Sequence, residues 1–168
     1  MRTTIVRRTG SAALVAVLAL GVAAPAALAD TGGKQLTKKQ WIKAANKICS
    51  NTDDKIDALD EPTGDFDKGL TAAEFDALAE YAGKALDYSE DAYADLKALK
   101  PPKKDASQVK KITSALKKAI ASIEDTASAA EDQDGAAAQA ALNEVGTYQT
   151  DFEDAAAAYG STCGSSNA

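Results

Sequence analysis

Leu36-Thr37-Lys38-Lys39-Gln40-Trp41 holds a complete helix start in six residues. Thr37 offers a side-chain oxygen to the free N–H groups of the first turn, and Gln40 can reach back to the Thr37 N–H. Leu36 and Trp41 flank the pair as an apolar staple. Leu70-Thr71-Ala72-Ala73-Glu74-Phe75 repeats the design with Glu74 and Phe75. These two starts place helices at about 37–60 and about 71–99. Pro101-Pro102 then breaks the chain, because proline disfavours helix at the residue before it. Asp105 with Gln108 restarts it, giving a third helix at about 105–132. A fourth runs from about 135 to 159 and stops at Gly160, which suits a left-handed cap.

Apolar stripes at spacings of three and four agree with these limits. They run through Trp41, Ala45, Ile48, Thr52, Ile56 and Leu59; through Phe75, Leu78, Ala82, Ala85, Ser89, Ala92, Leu96 and Leu99; through Val109, Ile112, Leu116, Ala119, Ile120 and Ile123; and through Ala141, Val145, Tyr148, Phe152, Ala155 and Tyr159. No hairpin signal competes. The expected fold is all-α, an antiparallel up-down four-helix bundle with one disulfide. Between residues 30 and 168, 29 residues are Ala and only 21 are Val, Ile, Leu, Phe or Trp. Such small-residue seams predict close helix approach, with little room for an internal ligand.

Upstream of the helices, residues 1–29 read as a cleavable signal peptide. Arg2, Arg7 and Arg8 give the positive start, Leu14 to Leu20 the apolar run, and Ala27-Leu28-Ala29 the small-x-small cleavage site before Asp30. Thr9-Gly10-Ser11 after the twin arginine lacks the expected apolar context, so ordinary export is expected. Cleavage would leave a linker at 30–36, the bundle at 37–160 and a tail at 161–168, with no membrane span.

That mature chain would carry 16 Lys against 25 acids, a net charge of −9, with no Arg and no His. The missing His excludes Ser-His-Asp and Cys-His catalysis and imidazole-bound zinc. The missing Arg removes the bidentate fork for phosphate and the commonest guanine-reading group, and the net charge opposes nucleic acid. No cofactor and no catalytic residue are expected. Glu90-Asp91 and Asp151-x-Glu153-Asp154 read as solvent-facing acids rather than acid–base pairs. Tyr81, Tyr88 and Tyr93 read as seam residues with wet hydroxyls, and Trp41 as core.

Cys49 and Cys163 form an even pair in an oxidising compartment, so a disulfide between them is expected. It would close about 115 residues, worth roughly 4–5 kcal/mol in the chain-entropy description. Because Cys49 sits mid-helix, Gly160-Ser161-Thr162-Cys163 must fold back along the first helix to reach it.

The stretches Trp41-Ile42-Lys43-Ala44-Ala45-Asn46-Lys47-Ile48-Cys49 and Tyr159-Gly160-Ser161-Thr162-Cys163, with the Ala-rich leader, resemble small exported Ala-rich helical proteins of actinobacteria, often lipid-anchored. The resemblance implies a secreted or envelope-associated protein and carries over no catalytic residue. Asp30 stands where the anchored members have Cys, so no lipid anchor is expected.

Two clusters are candidates for binding. Thirteen of the 16 lysines fall at one expected end of the bundle, and 16 of the 25 acids fall toward the other. Helix dipoles do not explain this, since Lys38 and Lys39 open the first helix and Lys103-Lys104 precede the third. Lys38, Lys39, Lys43, Lys100, Lys103, Lys104, Lys110 and Lys111 form a candidate docking surface for an anionic envelope component or an acidic protein surface; the bland alternative is a solvated face. The second cluster is the acidic region 53–74, the alternative being divalent-cation (calcium) binding there. Asp65-x-Asp67 with Glu74 matches part of an EF-hand calcium loop counted back from Glu74, and the surrounding Asp53, Asp54, Asp57, Asp60 and Glu61 would attract cations weakly. Thr63 at the first position and Lys68 at the sixth depart from that pattern. The cap and staple explain Leu70, Thr71, Glu74 and Phe75 without a metal.

Overall fold

The computed structural model describes residues 35–164, apart from the side chain of Asp67. The leader at 1–29, the start of the linker and the last four residues of the tail lie outside the described residues. Four α-helices make up the fold: α1 (Lys38–Asp57), α2 (Ala72–Ala98), α3 (Ala106–Glu131) and α4 (Gly135–Tyr159), with short 3-10 turns at Phe66–Lys68 and Lys103–Asp105. There is no strand among the described residues. The helices alternate in direction, forming an antiparallel four-helix bundle.

Both capping boxes form. The Thr37 N–H donates to Gln40 Oε1 at 2.9 Å and the Gln40 N–H donates to Thr37 Oγ1 at 3.3 Å. The Thr71 N–H donates to Glu74 Oε2 at 2.7 Å, with the Glu74 N–H returned to Thr71 Oγ1 at 3.3 Å. The Thr71 N–H and the Thr71 hydroxyl, both donating to Glu74 Oε2, hold the Glu74 carboxyl below its ordinary value. Asp105 behaves differently from the expected cap. It makes no side-chain cap bond, sits in right-handed helical conformation, and accepts instead from the Tyr159 hydroxyl at 3.1 Å. Helix α1 ends earlier than its stripe suggests, at Asp57 rather than near residue 60. Its last turn carries Asp53, Asp54 and Asp57 against one Lys55, and carboxylates at a C-terminus oppose the dipole.

The core has two parts. The larger gathers Trp41, Ala45 and Ile48 of α1, Ala92 and Leu96 of α2, Val109 and Ile112 of α3, and Phe152, Ala156 and Tyr159 of α4, with both cysteines. The smaller, at the opposite end, joins Phe75, Leu78, Ala129, Ala130 and Ala138 beneath Phe66 and Leu70 of the α1–α2 loop. On α4 the buried stripe includes Ala156 rather than Ala155. Ser122 and Thr126 are buried on α3, and each hydroxyl donates to the carbonyl one turn earlier, at 3.4 and 2.8 Å. The Ser122 hydroxyl also lies 3.4 Å from Glu144 Oε2 of α4, so both buried hydroxyls are paired.

Helix α1 packs on α2, α2 on α3 and α3 on α4, but α1 and α4 form no comparable seam. The tail spans the gap between them. Gly160 adopts φ +90°, and the Gly160 and Ser161 N–H groups donate to Ala157 O and Ala156 O, a Schellman closure. The chain then turns onto α1, where Asn46 Oδ1 accepts from Ser161 Oγ at 2.6 Å and from the Thr162 N–H at 3.0 Å. Cys163 bonds to Cys49 with the Cα atoms 5.2 Å apart. The expected disulfide forms, and Asn46 is what turns the tail toward it.

Candidate functional site

Three places could carry chemistry: the lysine-rich end, the α1–α2 loop, and the gap between α1 and α4. At the first, the Leu36 N–H donates to Lys100 O at 2.8 Å and Gln35 Nε2 donates to Pro101 O at 3.0 Å. These bonds hold the entry to α1 against the α2–α3 connection. Lys38 and Lys39 therefore share one end with Lys100, Lys103 and Lys104, while Lys43, Lys110 and Lys111 lie farther along α1 and α3. All eight are exposed. Among the described residues the ion pairs are Lys68–Asp65 at 2.8 Å and Lys84–Glu80 at 2.6 Å, and both lie outside this end. Instead, Lys38 Nζ sits 4.5 Å from the centre of the Tyr159 ring, in cation–π contact.

Beneath Lys38, Tyr159 is only 1% exposed and Trp41 is fully enclosed. Their rings meet edge-on, with centroids 5.3 Å apart. Burial, with the bond to Asp105, pushes the Tyr159 phenol up to about 12. The lysine-rich end therefore stands on a rigid aromatic floor.

In the α1–α2 loop, Asp65 pairs with Lys68, and Glu74 is engaged by the Thr71 cap. The Asp67 side chain lies outside the described residues. Among the described residues no cluster of three His, Cys, Asp or Glu side chains is arranged to hold a metal ion. Thr71 and Lys68 thus already engage Glu74 and Asp65, two of the three carboxylates that the calcium pattern would draw on.

The third place was not legible in the stripes. Between α1 and α4 lies a cleft of about 670 Å³. Its floor is Ala92 and Leu96 of α2, Leu116, Ala119 and Ile123 of α3, and Val145 and Phe152 of α4. Its α1 wall carries Asn46, Ser50, Asp53 and Asp57 as a polar helical stripe, with Cys49 and Ile56 as the apolar side chains beside it. The expectation of little internal room therefore fails here, although the small-residue seams hold among α2, α3 and α4. Thr162 and Gly164 of the tail form part of the lining. A Cβ on Gly164 would lie 2.6 Å from Glu153 Cγ, so the tail is wedged tightly beside α4. Loss of surrounding water is the first cause that raises the Asp53 carboxyl above its ordinary value, followed by Asp57, Asp54 and Glu153. Glu153 is half-buried, not fully solvent-facing as its sequence setting suggested.

No helix among the described residues is long and apolar enough to cross a membrane. The class defined by these observations is an all-helical, disulfide-bonded four-helix bundle. No family model, curated protein or solved structure matches the chain.

Proposed function

We propose that this is an exported, non-catalytic docking module whose lysine-rich end binds an anionic polymer of the cell envelope. The observation that carries the reading is the convergence of Lys38, Lys39, Lys100, Lys103 and Lys104 at one end, exposed and without ion pairs among the described residues. Exposed, unneutralised ammonium groups act as point charges, matched to a polymer with regularly spaced anions more than to one planar carboxylate. The net charge of the mature chain keeps the rest of the surface from adhering to the same polymer. Secretion and envelope association rest on the leader-like residues 1–29 and on the resemblance to exported actinobacterial proteins. The absence of His and Arg from that mature chain supports a role outside catalysis.

Retention of the oxidised protein on envelope extract, measured at low and at high salt, tests this. Binding is expected to fall steeply with salt, because exposed charges are screened within about 8 Å at physiological ionic strength. Lys103→Glu with Lys104→Glu should weaken retention about tenfold or more, and Lys84→Glu at the acidic end should leave it unchanged. Retention indifferent to both salt and the Lys103/Lys104 reversal would overturn the reading.

A further inference from the structure

We propose that the cleft between α1 and α4 is a binding site for a small amphipathic cation, an apolar body carrying a single ammonium group. This is independent of the lysine-rich end and would stand if docking there failed. The size is right: about 670 Å³ falls within the roughly 300–1,000 Å³ of small-molecule sites. The chemistry is divided between floor and wall. Leu96, Leu116, Ile123, Val145 and Phe152 give an apolar bed from all three helices that face α1. Asp53, Asp54 and Asp57 line the α1 side, with Glu153 close enough to act on Asp53.

Charge complementarity selects the occupant. Asp53, Asp54 and Asp57 are exposed and stand together along one side of an apolar cleft, and an ammonium placed among them relieves their mutual repulsion. An anion would meet those carboxylates, and a neutral hydrocarbon would leave the repulsion in place. Lys47 is the lining cation, on the turn of α1 before the acids. The bound ammonium therefore lies toward Asp53 and Asp57, away from the disulfide, with its apolar part against Val145 and Phe152. The cleft stays open because the disulfide-held tail spaces α1 from α4 and because the α1 stripe facing it is polar. Thus the feature that weakens the seam is also the one that gives the site its selectivity.

The test is a titration of the oxidised protein with phenylbutylamine, followed by backbone amide chemical shifts. Phenylbutyrate and putrescine run in parallel, the first with the opposite charge and the second with no apolar body. The expected result is saturable shifts for phenylbutylamine alone, confined to the cleft around Thr52, Ser89, Ala119, Val145 and Gln149. Asp53→Asn with Asp57→Asn, which keeps side-chain shape, should weaken the amine about tenfold. Val145→Trp should block it by filling the floor, and the unliganded spectrum of each variant reports whether the bundle is intact. Equal binding of amine and carboxylate, shifts scattered over the acidic surface, or no saturation at millimolar amine would each overturn the proposal.

Discussion

Tyr159 shows how much of the bundle one side chain can hold. Its ring meets Trp41 of α1, its hydroxyl donates to Asp105 before α3, and its backbone ends α4. The apolar stripe marked Tyr159 as core, but nothing in the sequence linked it to Asp105, which reads as a helix cap. The two roles compete for one carboxylate, and burial of the phenol decides the outcome, because an unpaired buried hydroxyl costs more than an uncapped helix start open to water. The consequence is a pH dependence of known sign. The folded chain holds the phenol protonated up to about 12, against an ordinary value of 10.0. The stability it contributes is therefore complete below the ordinary value and is lost as pH rises through the folded one. Tyr159→Phe should lose about 1 kcal/mol at neutral pH through the missing bond to Asp105. Between pH 10 and about 12 the gap between wild type and variant should close. Urea unfolding of both proteins at pH 7 and pH 11 measures this, and a gap of the same size at both values would contradict it.

The helices were legible wherever a boundary has a chemical cause in its own residues. The Thr37 and Thr71 boxes, the Pro101-Pro102 break and Gly160 set limits that the structure reproduces within a residue or two. Where the cause is the sum of a helix and its surroundings, the reading slipped, as at the end of α1. The α3–α4 connection is a different case. Its position was read correctly, but its glycine is in the wrong place for a left-handed cap. The Gln133 and Asp134 N–H groups donate to Ala130 O and Ala129 O, which closes α3 as a Schellman turn with Gln133 at φ +56°. Gly135, two residues later, instead begins α4. A non-glycine residue in the left-handed region carries a penalty of roughly 1–2 kcal/mol, offset in part by the greater entropy that glycine loses on folding. Gln133 is exposed and makes no side-chain bond that the change would remove. Gln133→Gly should therefore stabilise the protein by about 1 kcal/mol, read as a higher urea midpoint at unchanged slope. A lower midpoint would mean that the connection is not under conformational strain.

At the scale of the molecule, the four helices make a ring that closes at one end, where Trp41 meets Tyr159 and the tail is tied to α1, and opens between α1 and α4 at the cleft. The sequence showed which residues form each stripe, but not that α1 has a second, polar stripe facing α4. Periodicity finds the apolar face of a helix and is blind to which neighbour the remaining faces meet. The closure therefore depends on Asn46, Ser161 and the Cys49–Cys163 bond, at the end where Trp41 and Tyr159 also meet. The bond joins residues 114 apart, and the chain-entropy description gives such a loop about 4–5 kcal/mol. How that loss is distributed follows from the packing. Helix α3 packs along both α2 and α4, whereas α1 packs chiefly on α2 and meets the rest of the core through Trp41, its neighbours and the tail. Reduction should therefore release α1 before the other three helices, as local opening below the global unfolding energy. Hydrogen exchange on Cys49→Ala/Cys163→Ala tests this by comparing amides in α1, from Ala45 to Thr52, with those of α3 around Ile120. Protection in α1 should fall by a larger factor than in α3, and Thr162 should lose its protected amide with it. An equal fall in both helices would show that the bundle unfolds as one unit and that the disulfide stabilises it only through the unfolded chain.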